Sequence, residues 1–169
     1  MRGYTSISER LPPSEVTALL NRFYETGSRA LLPHGALLGQ IAGDEIMALF
    51  VPGLAGPAYR RNAVEAARAL LRAVGYESSA ANWIGVGVGI ASGEEFVGNL
   101  GGGGYKDFTA VGDVTNTAAR LTAVAQGGEI LVDAATYEAV AATYLGVERR
   151  QLVLKGKEAA VQSFLIPVS

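Results

Sequence analysis

Residues 83–93, WIGVGVGIASG, alternate without a break. Ile84, Val86, Val88 and Ile90 fall on one face and Gly85, Gly87 and Gly89 on the other. Period-two alternation is the pattern of a β-strand with two unlike faces. One face here is apolar and suited to a core. The other carries no side chains, so a helix can pack against it at close range. A fold that contains this strand is layered, with helices lying on a sheet.

The segments around it agree. After Pro12-Pro13, apolar residues at Val16, Leu19, Leu20, Phe23 and Leu31 recur at helical spacing, and Pro33 closes the run. GALLGQIAGDEIMALF places two apolar runs around Gly43-Asp44, the dipeptide expected at a two-residue hairpin turn. VPGLAGP reads as loop, and a second amphipathic helix runs from Pro57 to a stop at Gly75. A glycine-laden hairpin follows over EEFVGNLGGGGYKDFTAVGD, then a helix over DVTNTAARLTAVA ending at Gly127-Gly128. EILV is a short strand, Asp133 caps a helix over AATYEAVAAT, and two strands over VERRQLVLKG and AVQSFLIPV finish the chain. The class is α+β, an α/β sandwich with a ferredoxin-like βαββαβ core and appended C-terminal strands and helix. The first strand of that core is missing: MRGYTSISERL enters its helix with only Met1 ahead of the turn. Residues 1–169 read as a single domain, incomplete at its N-terminus.

Composition narrows the chemistry. With 49% apolar residues the chain is globular, and a net charge of −2 without like-charge runs argues against a broad grip on nucleic acid. The absence of cysteine removes disulfides, thiolate nucleophiles and Cys-ligated metals. No apolar run approaches the roughly 18 residues of a membrane span, and no signal segment opens the chain. The expectation is a cytoplasmic protein without membrane insertion. His34 is the only histidine, so Ser–His catalysis and histidine metal clusters are out of reach. GVGVG has no phosphate-loop spacing, and GGGG lacks the following Gly-Lys-Ser or Gly-Lys-Thr of a P-loop.

Two features remain. Asp44 sits at the tip of an apolar hairpin, where its carboxylate would point away from the sheet; Asp beside Gly is also a common turn pair. Asn116 and Arg120 are spaced i, i+4 and project from one helical face. That face would be plain solvated surface but for its small and apolar neighbours Thr117, Ala118, Ala119 and Leu121.

Taken together, RGYTSISERLPPSEVTALLNRFYE, GDEIMALF, VGNLGGGGYKDFTAVGDVTNTAARL, GEILV and LVLKGK resemble, in this order and spacing, the class III nucleotidyl cyclase catalytic domain of adenylate and guanylate cyclases. The resemblance spans nearly all 169 residues. It implies attack of a ribose 3′-oxygen on the α-phosphate of ATP, in preference to GTP, releasing pyrophosphate. It implies two Mg²⁺ (or Mn²⁺) ions per site, with Asp44 matching one of the family's two metal-binding aspartates. Arg120 matches the transition-state arginine, Asn116 the residue that orients the ribose, and Lys155 the lysine on the terminal phosphates. It also implies a homodimer in which one subunit gives the metal carboxylates and the other the asparagine, arginine and lysine.

The pattern is broken twice. The base pocket of adenine-selecting members carries Lys and Asp, where this chain has Gln40 and Thr109; each can donate and accept, so each suits either purine. The family motif Phe-x-Asp-[Ile/Leu]-Arg-Gly-[Phe/Tyr]-Thr aligns with Met1 at the Ile/Leu position, which puts the first metal aspartate one residue before Met1. A catalytically silent cyclase-homology module for dimerisation or nucleotide sensing is therefore the other reading. Joint retention of Asp44, Asn116, Arg120 and Lys155 favours the enzyme.

Overall fold

The computed structural model describes residues 1–77, 81–102, 107–153 and 160–169, with backbone alone at 40–42 and 107. The chain begins with a short helix α1 (Tyr4–Ser8) and the long α2 (Pro13–Leu31), extended by a 3₁₀ turn at Leu32–His34. Pro13 opens α2, where a missing N–H costs nothing. Its inward stripe is Phe23, Gly27, Ala30 and Leu31. The hairpin β1 (Leu37–Ala42) and β2 (Glu45–Leu49) turns through Gly43-Asp44, with Ala42 opposite Glu45. One turn of helix, α3 (Pro52–Ala55), forms where the sequence reads as loop, because Pro52 again supplies an N-terminal start. In α4 (Tyr59–Ala73) the residues Ala63, Val64, Ala66, Ala67, Leu70 and Leu71 are buried, and α4 lies on α2.

The alternating glycine segment yields β3 (Val88–Ile90), which is shorter than residues 83–93. The reason is the partner. Its parallel neighbour β6 (Ile130–Asp133) starts opposite Val88, so residues before 88 meet it through a single bond from Gly128 N to Val86 O (2.8 Å). Next come the ribbon β4 (Phe96–Leu100) and β5 (Asp107–Val111), then α5 (Asp113–Val124). Asp133 does cap a helix, its carboxylate accepting from Thr136 N at 2.9 Å. That helix, α6, is only Ala134–Glu138; the chain then turns to bury Val140 and Tyr144. Strands β7 (Arg149–Leu152) and β8 (Val161–Ile166) complete the mixed α/β layers.

The bare glycine face receives a helix, as its pattern requires. A Cβ on Gly89 would lie 2.3 Å from Thr122 N, and one on Gly87 would lie 2.7 Å from Ala125 O. Only glycine lets α5 sit this close.

Among the described residues the strands form three sheets: β1–β2, β4–β5, and a four-stranded sheet in the order β3-β6-β8-β7. The core lies on both faces of the last of these, where Ile130 and Val132 are fully buried in one cluster with α4 and Leu131 packs with Leu121 and Ala125. Between β2 and β3 the sheet is interrupted by a cavity of about 920 Å³.

Candidate functional site

Asp44 is presented by a turn that is held from two sides. The hydroxyl of Tyr24, on α2, donates to the Gly43 carbonyl. Burial raises the Tyr24 pKa above its ordinary value, with the negative charges of Tyr4 and Asp44 adding to the effect. On the other side, the main-chain nitrogen of Met1 donates to the Asp44 carbonyl at 2.7 Å and to its Oδ2 at 2.9 Å. The Asp44 carboxylate is half-buried and faces positive charge.

Asn116 and Arg120 stand on α5, which is pinned at both ends. Its N-cap is Gly112, which has no side chain to cap with, and Glu95 takes over that role. The Glu95 carboxylate accepts from Thr115 N at 2.9 and 3.1 Å and from the Thr115 hydroxyl. A Cβ on Gly112 would lie 2.6 Å from Glu95 Oε1, so this cap needs glycine there. At the C-terminal end, Arg2 donates to the carbonyls of Thr122 and Ala123. An acid at the start and a base at the end both suit the helix dipole. Tyr24, Glu95 and Arg2 were not legible as site residues, since their partners are main-chain groups distant in sequence.

Thr117 and Leu121 form the buried stripe of α5, and Val114, Ala118 and Thr122 face the cavity. At 100° per residue, Asn116 and Arg120 lie on the opposite side of the helix. Asn116 is exposed and Arg120 half-buried, and neither side chain has a partner among the described residues. Asp44 lines the cavity and these two residues do not. Within one chain, then, the carboxylate and the guanidinium do not converge.

Gln40 lies on β1 and Thr109 on β5, opposite Gly98. The strands β1 and β5 pack together, which brings the two positions to one region. Lys155 falls outside the described residues. His34 closes the 3₁₀ turn beside α2 and joins no metal cluster.

Residues 1–167 match the family model for the adenylate and guanylate cyclase catalytic domain. The chain belongs to that family. It is 30% identical over 167 residues to an uncharacterized protein of Mycobacterium tuberculosis, covering 95% of this chain and 30% of the relative. It is 32% identical over 126 residues to an adenylate cyclase of Anabaena cylindrica, covering 72% of this chain and 25% of the relative. The chain thus spans about a third or less of the length of these relatives. Among solved structures, the adenylyl cyclase CyaB of P. aeruginosa superposes with a TM-score of 0.81 at 27% identity, covering 97% of this chain and 88% of that one. The guanylyl cyclase Cya2 gives 0.85 at 28% identity, covering 100% and 89%.

Cyclase domains of this family generally use divalent metal ions. The residues described here fit one such ion. Asp44 turns its carboxylate and its carbonyl oxygen toward one point, and two oxygens so placed suit a hard cation. Among the described residues no three His, Asp or Glu side chains gather to hold a metal by themselves. A second ion would draw its ligands from elsewhere.

Proposed function

We propose that residues 1–169 form a single cyclase domain that converts ATP, in preference to GTP, to the 3′,5′-cyclic nucleotide and pyrophosphate. The reading rests on one observation. Arg120 and Asn116 have no partner among the described residues and stand on the outward face of a helix braced at both ends. A guanidinium left unpaired on a rigid element is suited to developing phosphate charge.

In the reaction the ribose 3′-oxygen forms a bond to the α-phosphorus as the bond from that phosphorus to the pyrophosphate oxygen breaks. The 3′-hydroxyl proton is lost, and pyrophosphate leaves. Arg120 holds the crowded phosphate oxygens while Asn116 fixes the ribose. Lys155 binds the terminal phosphates, and Gln40 and Thr109 read the purine edge. Asp44 would hold Mg²⁺ or Mn²⁺, which when bound lowers the charge barrier at the phosphate oxygens. Two ions per site require a second carboxylate, which the motif places on the residue joined to Met1.

Because Asp44 and Arg120 do not converge within one chain, the site is shared across a homodimer. Exposed apolar side chains on the β4–β5 ribbon support such an interface: Phe96 is 56% and Phe108 45% exposed. No helix among the described residues is long and apolar enough to cross a membrane. A cytoplasmic setting, where ATP is at hand, belongs to the same proposal. A second reading is a silent cyclase-homology module that binds nucleotide or dimerises without turnover.

Mixing separates these readings. Chains carrying Asp44→Ala or Arg120→Ala should each be inactive. An equal mixture should regain about a quarter of the original activity, since half of the two-fold dimers are mixed and each mixed dimer has one intact site. Cyclic AMP and cyclic GMP formation is measured with Mg²⁺ and with Mn²⁺, on the chain as it stands and on one extended by a strand ending in Asp. No recovery despite demonstrated subunit exchange would put both residues in one chain's site. An extended chain without turnover would favour the silent module.

A further inference from the structure

The first turn of α5 is not closed by its own residues. Its N-cap, Gly112, has no side chain to offer. The first bond within the helix, from Asn116 N to Gly112 O, is 3.3 Å long, against a usual value of about 2.9 Å. The N–H of a helix's third residue is ordinarily satisfied by the N-cap side chain. Here that N–H belongs to Thr115, and Glu95 accepts it from outside the helix, together with the Thr115 hydroxyl.

Glu95 is itself anchored from the opposite direction. Three residues before it, Ser92 N donates to Asp133 Oδ2 at 3.2 Å, and the Ser92 and Thr136 hydroxyls are paired at 2.7 Å. Thr136 is fully buried, and Asp133 ends β6 of the four-stranded sheet. Between the two anchors Gly93 lies against α5: a Cβ there would stand 2.8 Å from Val114 Cγ2. Residues 92–95 thus form a strap, tied at one end to the closed sheet and at the other to the first turn of α5.

The strap controls a direction. The Glu95 carboxylate holds both the N–H and the hydroxyl of Thr115, so rotation of the first turn about the helix axis would break these bonds. Successive helical residues differ by about 100°, so the bearing of Asn116 follows from that of its neighbour Thr115. Fraying starts at a helix end, and Asn116 stands in the first turn. Arg120 lies a full turn deeper, between the buried Thr117 and Leu121, and depends less on the strap.

We propose that Glu95 is a positioning residue for the nucleotide: through Thr115 it fixes the bearing of Asn116, and so the hold on the ribose, without touching the nucleotide itself. The inference rests on the reading that gives Asn116 the ribose. What Glu95 supplies is geometry more than charge. An amide of the same shape keeps both bonds, its oxygen accepting from Thr115 N and its nitrogen donating to the hydroxyl oxygen. Glu95→Gln should therefore retain the effect, and Glu95→Ala should lose it.

The test compares the intact chain with Glu95→Ala, Glu95→Gln, Asn116→Ala and the double variant Glu95→Ala/Asn116→Ala. Amide hydrogen exchange at Asn116 should quicken about tenfold in Glu95→Ala, the scale of a lost N-cap, and stay within about threefold of the original in Glu95→Gln. Exchange at Leu131, in the closed sheet, should not change. Binding is then measured with Mg²⁺ for ATP and for inorganic triphosphate, which has no ribose. Glu95→Ala should weaken ATP about tenfold and triphosphate hardly at all, Glu95→Gln should restore ATP binding, and Glu95→Ala should add nothing once Asn116 is already Ala. Unchanged exchange at Asn116, equal weakening of both ligands, or full additivity in the double variant would overturn the proposal while leaving the role of Asn116 standing. An Asn116→Ala chain that binds ATP as well as the intact chain, or an intact chain that binds none, would overturn that role and this inference with it.

Discussion

On one side of β3 the ladder runs unbroken through β6, β8 and β7, and it buries Ile130, Leu131, Val132, Phe164 and Ile166. On the other side β3 faces β2 across an apolar cavity, and both edges are unpaired. The two sides carry different tasks. The closed side holds the fully buried Ile130, Leu131 and Ile166, and Asp44, Asn116 and Arg120 all lie off its strands. The open side holds the Asp44 turn, and α5, which borders the cavity, turns Asn116 and Arg120 outward. Stability is concentrated where the sheet is closed, and chemistry is proposed where main chain and carboxylate still lack part of their surroundings. This division predicts that substitutions on the two sides affect different measurements.

The largest effect should come from the outward face of α5. In the dimer extended by a strand ending in Asp, Arg120→Ala should lower kcat about 10²–10³-fold, or ~3–4 kcal/mol of barrier, with little change in nucleotide affinity. The urea midpoint should stay within experimental error, because the side chain has no partner among the described residues. A loss confined to KM would make Arg120 a ground-state binder.

Next in size is a test of the closed side. Ile130→Ala should cost about 3 kcal/mol by chemical denaturation, whereas Ile46→Ala, beside the cavity, should cost about 1 kcal/mol because it seals no new void. Equal costs would mean that the two sides are packed alike and the contrast fails.

A smaller effect concerns Arg150, which clamps Glu129 through bonds of 2.8 and 3.0 Å at the closed edge. These bonds, chiefly, hold the Glu129 carboxyl below its ordinary value of 4.5. A carboxylate whose pKa is lowered on folding stabilises the fold above its unfolded pKa. That contribution is lost as pH falls through the folded value. Glu129→Gln should therefore cost about 1–2 kcal/mol at pH 7, and the difference should shrink steadily below pH 4.5. A difference that persists undiminished at pH 3 would show that the charge is not what matters.

The legible parts of this molecule are those whose signals are local. The Gly43-Asp44 turn, the Pro13 helix start, the Asp133 cap and the bare face of Gly85, Gly87 and Gly89 could all be read from spacing, and each is found in place. The length of β3 could not, because it depends on where β6 begins, some forty residues later. Asp44, Asn116 and Arg120 could be named because they fall within motifs. That Asp44 does not meet the other two within one chain is an expectation of the family resemblance alone; an i, i+4 spacing says that two residues share a face but not which way that face points. Glu95 and Arg2 escaped notice for a related reason: a carboxylate capping a distant helix leaves no periodicity.

The smallest expected effect lies on the open side, in base selection. Gln40 and Thr109 stand on β1 and β5, which pack together, and both side-chain types can donate and accept. A pair of this kind holds no fixed pattern against either purine, so the proposed preference for ATP over GTP should be a modest one in kcat/KM. Gln40→Lys combined with Thr109→Asp replaces it with one fixed donor and one fixed acceptor. The ATP-over-GTP ratio should then rise about tenfold, the worth of roughly 1.4 kcal/mol in a single well-placed contact. Both positions belong to the open side, so the denaturation midpoint should move by less than about 0.5 kcal/mol. A ratio that does not move places base recognition elsewhere. A large loss of stability would mean that these strands belong with the closed side after all, and the division between stability and chemistry would have to be redrawn.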